Sequence, residues 1–244
     1  MKLDILAIAA HPDDVELGCA GTLIKHLKKG QKVGILDLTQ GELGTNGTIE
    51  SRYQEASAAT KIMGVLVREN AQLRDGFFEN NEENKLKIIQ YIRKYQPNIV
   101  IANALDDRHP DHGRGALLIK DACFLAGLSK IKTYNDQGEE QIAWRPKRIF
   151  HMLQDRFSEP DFIVDISQEV DQKLAAIEAY TSQFYSKNAQ NELTYISNPE
   201  FWEQLKSRSR MLGKRIGVSH GEGFHCENTL GLEDLDALKL PNLA

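Results

Sequence analysis

The sequence is short of the features that mark several large protein classes. It has three cysteines, Cys19, Cys123 and Cys226, odd in number and widely spaced. They form no C-x-x-C pair and no disulfide framework, so reduced thiols in a cytoplasmic setting are expected. Basic residues are in deficit: 30 Lys plus Arg against 35 Asp plus Glu leave a formal charge of −5 and a pI near 5.8. A nucleic-acid binder would show a basic excess, so no nucleic-acid partner is expected. No run approaches the roughly 18 apolar residues of a membrane span. The start, Met1-Lys2-Leu3-Asp4, carries one Lys and an early acid and leads to no cleavage site, which does not read as a secretory leader. Two glycine signatures are missing as well. Neither G-x-G-x-x-G nor a P-loop occurs, and the nicotinamide and nucleoside-triphosphate readings lose most of their weight.

What is present is an ordinary globular composition, 41% hydrophobic and 27% charged over 244 residues. A chain of this size buries roughly 70% of the surface its unfolded form exposes, enough for a core without staples. Apolar periodicity alternates between short continuous runs and helical spacing. Strands are expected at Leu3–Ala9, Lys32–Leu38, Asn98–Ala102, Ile149–Leu153 and Phe162–Asp165. Helices are expected at Gly18–Lys29, Glu50–Met63, Glu83–Tyr95, Asp111–Gly127, Ser167–Ser182 and Glu200–Gly213. Thr133–Glu140 and the acidic Glu79–Glu83 read as solvated loops. This alternation implies right-handed βαβ units. The expectation is one α/β domain over residues 1–244, Rossmann-like, with a mostly parallel sheet flanked by helices and a C-terminal extension.

Such sheets bind ligands beyond the carboxyl ends of their strands. The first strand runs into Ala10-His11-Pro12-Asp13-Asp14. The strand Asn98–Ala102 leads to Asp106-Asp107-Arg108-His109-Pro110-Asp111-His112. In a Rossmann-like order these two strands are neighbours, and their loops face one crevice. Two imidazoles and a carboxylate converging there suit a catalytic zinc, which takes three protein ligands and keeps a fourth position open. Alternatively, Asp13, Asp14 or Asp111 could serve only as helix caps. The repetition of His-Pro-Asp at two strand ends favours the chemical reading.

These two motifs resemble the paired signatures of the PIG-L/LmbE-like zinc-dependent N-deacetylases. The resemblance extends to Gly41-Glu42-Leu43-Gly44-Thr45-Asn46-Gly47, to Arg52 and Glu55, to Ile62-Met63-Gly64 and to Gly221-Glu222-Gly223-Phe224. Within the family it points to the branch that deacetylates N-acetylglucosaminyl-malate in bacillithiol biosynthesis, chiefly through the Gly-Glu-Leu-Gly-Thr loop and Tyr180–Tyr185. It implies one Zn2+ on His11, Asp14 and His112, Asp13 as general base, and His109 as the group that stabilises the oxyanion. It also implies an N-acetylated sugar as the small-molecule partner and a homo-oligomer such as a hexamer. Asp111 is expected to orient an imidazole by accepting its second N–H.

Arg52 and Arg108 are candidates for substrate carboxylates, which a guanidinium fork fits. Glu42 is a candidate acceptor for sugar hydroxyls. His220 and His225 are separated by glycines and do not read as a ligand pair. Tyr180, Phe184 and Tyr185 read as packing, and His26 and His151 as structural. Rival readings are a deacetylase of free N-acetylglucosamine or short chitooligosaccharides, a non-catalytic sugar-binding domain and a metal-dependent phosphoesterase. A binder has no need of Asp13, and phosphoester chemistry favours oxygen-rich two-metal sites.

Overall fold

The first strand, β1 (Ile5–Ala9), is buried at all five positions, as a strand covered on both faces must be. It pairs in parallel with β2 (Val33–Thr39) on one side and β4 (Ile99–Ala102) on the other. β3 (Val67–Leu73) lies outside β2, and β5 (Arg148–Met152) outside β4, both again parallel. β7 (Gly221–Cys226) runs antiparallel to β5 and carries β6 (Phe162–Asp165) on its far side. The sheet order is β3-β2-β1-β4-β5-β7-β6. It is a mostly parallel Rossmann-like sheet with helices on both faces, as the residue pattern implied. The computed structural model describes residues 1–184 and 191–238.

Alternate residues of the central strands feed two cores. Ile5, Ala7 and Ala9 face Val15, Cys19 and Leu23 of α1 (Asp14–Lys28), Ala56 and Ala59 of α2 (Ile49–Met63), and Ala176 and Ile177 of α5 (Val170–Glu178). Leu6 and Ile8 face Ile88 and Ile92 of α3 (Glu82–Tyr95) and Leu118, Ile119 and Ala122 of α4 (Pro110–Ala126). The last helix, α6 (Pro199–Arg215), adds Phe201 and Leu205 to the first core. The C-terminal part therefore does not hang off the domain. It supplies two strands and two helices of the same body.

Two expected helices need correction, and two strands, β3 and β7, were not expected. The first helix begins at Asp14 rather than Gly18, because the carboxylates of Asp14 and Glu16 suit the positive end of a helix. The helix expected over Ser167–Ser182 is confined to α5. β3 carries Arg68, Glu69 and Asn70 and has no apolar alternation; it is the polar outer edge of the sheet. β7 reads Gly-Glu-Gly-Phe and lacks β-type composition, yet it lies between two strands. A Cβ on Gly221 would come within 2.6 Å of Ile163 Cγ2, and one on Gly223 within 2.8 Å of Leu153 Cδ1. Close packing demands glycine there.

Candidate active site

The order of the sheet reverses between β1 and β4, and a cleft of about 220 Å³ opens at that point. The chain leaves β1 through His11 and Pro12 into Asp13, whose φ of 134° is unusual for a residue with a side chain. Asp13 occupies the N-cap position of α1, but its side chain makes no capping bond. Its carboxylate lies in the cleft instead, 6% exposed, with Arg52 Nη1 donating to Oδ2 at 3.3 Å. Burial, reinforced by Asp14 and opposed by Arg52, pushes the Asp13 carboxyl up to about 6.

Asp14 is fixed from three strand ends. Its Oδ2 accepts from His11 N at 3.0 Å and Asn103 Nδ2 at 3.1 Å, and its Oδ1 accepts from Gln154 Nε2 at 2.9 Å. Asn103 follows β4 and also accepts from Ala10 N at 2.8 Å. His112 Nε2 lies 3.0 Å from Asp14 Oδ1 and His11 Nδ1 3.5 Å from Asp14 Oδ2. Although burial raises it, these two imidazoles hold the Asp14 carboxyl well below its ordinary range.

The far nitrogen of each imidazole has its own carboxylate. His112 Nδ1 is 2.5 Å from Asp107 Oδ2, and His11 Nε2 is 3.0 Å from Asp75 Oδ1 and 3.6 Å from Asp111 Oδ2. Burial opposes charge on His112, but Asp14 and Asp107 outweigh it and bring the imidazole up to about 9. For His11, burial is likewise overcome by Asp111, Asp14 and Asp75.

The second turn has its own logic. His109 is the N-cap of α4, its Nδ1 accepting from Asp111 N at 3.3 Å, with Pro110 at the first helical position. Asp111 therefore does not cap the helix. Its Oδ2 accepts from Gly76 N at 2.8 Å and its Oδ1 from Arg114 Nη1 at 2.8 Å. With Nδ1 of His109 acting as acceptor, its proton sits on Nε2, which leaves a neutral donor in the cleft. Burial, helped by His11 and His112, depresses its basicity. The three ring centroids lie 4.6 to 5.6 Å apart.

The donor set fits a divalent ion. Asp107 and Asp75 each engage one nitrogen of an imidazole and leave the other facing Asp14, the outer arrangement that orients metal-binding histidines. His11, His109 and His112 offer ligand atoms within 4.8 Å of one another, as do His11, Asp75 and Asp111. Nitrogen and oxygen donors in this mixture suit zinc or a similar transition metal.

The remaining expected residues separate. Arg108 lines the cleft, partly exposed, its guanidinium 4.2 Å from the Tyr195 ring centre and its Nε 3.5 Å from Asp155 Oδ2. Arg52 is 5% exposed and also donates to Pro12 O at 2.5 Å. Glu42 lies outside the cleft lining, its Oε1 accepting from Asp75 N at 2.8 Å. Tyr180 and Phe184 are buried and packed edge to face at 6.5 Å; Tyr185 lies outside the described residues. His225 meets Ser158 and Asp161, and His151 meets Asn103 O, all away from the cleft lining. Sequence reasoning missed Asp75, Asp107, Asn103 and Gln154. Asp75 follows β3, so recognising that strand would have placed a carboxylate at a strand end.

The family model described as "PIG-L: GlcNAc-PI de-N-acetylase" matches residues 6–123, both His-Pro-Asp turns included. The chain belongs to the PIG-L family. This PIG-L protein superposes on the crystal structure of the conserved protein TT1542 from Thermus thermophilus with a TM-score of 0.83 and 37% identity, covering 95% of this chain and 98% of the other. It is 29% identical to the diacetylchitobiose deacetylase of Thermococcus kodakarensis over 90% of this chain and 81% of that protein. It is 28% identical to a probable N-acetyl-alpha-D-glucosaminyl L-malate deacetylase of Bacillus subtilis over 75% and 84% of the two chains.

Proposed function

We propose that this PIG-L protein is a zinc-dependent deacetylase of N-acetylglucosamine derivatives, with N-acetylglucosaminyl-malate as its substrate, acting in the cytoplasm. The observation that carries the reading is the meeting of two His-Pro-Asp turns across the β1–β4 crevice, with a spare carboxylate, Asp13, beside the donor set. His11, Asp14 and His112 would hold the ion. When bound, such an ion polarises a carbonyl and acidifies water.

The chain's own groups supply the rest of an amide hydrolysis. Asp13, with its carboxyl at about 6, is suited to take the proton from the attacking water and return it to the departing amine. Arg52 holds Asp13 in place through its 3.3 Å contact. His109 Nε2–H donates to the oxygen that becomes negative as the carbonyl turns tetrahedral. Arg108 lines the cleft beside His109, where Asp155 and the Tyr195 ring hold its guanidinium.

A second reading, a deacetylase of neutral chitooligosaccharides, draws support from the likeness to the Thermococcus kodakarensis protein over most of both chains. Acetate release from N-acetylglucosaminyl-malate, N-acetylglucosamine and diacetylchitobiose, each with and without a chelator, decides between them. Turnover of the malate conjugate above both neutral sugars, abolished by chelation, is expected. Chelator-insensitive turnover would remove the metal from the scheme, and preference for diacetylchitobiose would favour the second reading.

A further inference from the structure

Three arginines line the cleft, and two are already committed. Arg52 is engaged by Asp13 and Pro12 O, and Arg108 is stacked on Tyr195 beside Asp155. The third, Arg208 of α6, is half-buried and forms no hydrogen bond or ion pair with the described residues. The nearby carboxylates are engaged elsewhere. Asp107 accepts from Asp155 N and Arg156 N and meets His112, while Asp155 accepts from Tyr195 OH at 3.0 and 3.2 Å.

The helix that carries Arg208 is anchored. Arg208 lies two turns after Phe201 on the same side of α6, and both line the cleft. Phe201 is buried and stacks on Phe184 with rings 6.0 Å apart and 13° from parallel, while Leu205 and Leu212 pin the helix to the core. Burial lowers the basicity of its guanidinium, with Asp155 opposing. A partly desolvated guanidinium with no carboxylate within ion-pair distance among the described residues is stabilised when an anion arrives.

We infer that Arg208 is a specificity-determining residue that receives a carboxylate borne by the substrate's aglycone, opposite the N-acetyl group being cleaved. This deepens the proposed function and rests on it for the identity of the sugar. A planar guanidinium fork binds a carboxylate bidentately, which a lysine cannot reproduce.

The test compares wild type, Arg208→Gln and Arg208→Lys in two assays. The first is the ratio of kcat/KM for N-acetylglucosaminyl-malate to that for N-acetylglucosamine; the second is calorimetric binding of glucosaminyl-malate and of glucosamine. Loss of a charge-assisted contact should lower the kinetic ratio about 10- to 150-fold in Arg208→Gln, with Arg208→Lys in between. Binding of glucosaminyl-malate should weaken by a similar factor relative to glucosamine. An unchanged ratio and unchanged relative binding would overturn the inference, as would equal losses on both ligands. If wild type releases acetate from neither sugar, the deacetylase reading fails. The binding assay then decides Arg208 alone.

Discussion

Two adjacent aspartates have been given opposite environments. Asp14 is gripped by Asn103, Gln154 and two imidazoles, and its carboxyl is held low. Asp13 has one arginine, a raised carboxyl and a backbone with φ of 134°. Such backbone strain costs on the order of 1–3 kcal/mol and persists where the surroundings enforce it. Asp13→Asn should keep the bound metal and lose about 10²- to 10⁴-fold in turnover, the range for a general base. Asp14→Asn should lose the metal. Metal content by mass spectrometry beside acetate release separates the two, and equal metal loss in both variants would mean the roles are misassigned. Arg52 follows from the same geometry. Because it contacts Asp13 rather than standing free in the cleft, Arg52→Gln should depress turnover of anionic and neutral sugars by the same factor. A selective loss on the malate conjugate would return Arg52 to carboxylate recognition.

At the scale of elements, the central parallel strands and the existence of the helices were legible, and two strands, β3 and β7, were not. β1, β2 and β4 are covered on both faces, so their sequences are largely apolar, broken in β2 by Asp37 and Thr39. β3 is an edge, and its Arg68 is occupied with Asp37 at 2.7 Å and Glu16 at 2.5 Å, a tertiary arrangement with no local signature. β7 is written in glycines and a glutamate because neighbours press on it. Its Glu222 is 3% exposed and accepts from Gly21 N, Thr22 N, Thr22 Oγ1 and Lys173 Nζ at 2.6 to 2.9 Å. One buried ion pair thereby fastens β7 to α1 and α5. Removing a single partner leaves an uncompensated buried charge, which typically costs about 3–5 kcal/mol. Lys173→Met should therefore destabilise the fold by about that much in urea unfolding, and the double variant Lys173→Met/Glu222→Gln should recover part of the loss. A destabilisation below about 1 kcal/mol would show that the pair contributes little.

The whole molecule brings together what the sequence keeps 101 residues apart, His11 and His112. His11 and His112 were legible as partners because β1 and β4 are neighbours in the predicted order, and the structure makes them so. The carboxylates behind them were not legible, because Asp75 depends on the unrecognised β3, and Asp107 is one acid among several in its loop. The resulting donor set ties together the ends of β1, β3 and β4, so an ion there should stabilise the entire fold rather than one loop. A ligand that binds only the folded state at a hundredfold excess over Kd adds about 2.7 kcal/mol. For a chain of this length each kcal/mol raises Tm by about 2–4 °C. Zinc added to chelator-treated protein at that excess should therefore raise Tm by roughly 5–10 °C. Asp14→Asn should abolish most of that shift, because it removes a donor, whereas Asp13→Asn should preserve it. Calorimetric scans of the three proteins with and without zinc make the comparison. A shift of equal size in Asp14→Asn would place the stabilising ion away from the β1–β4 crevice, and with it the chemistry assigned there.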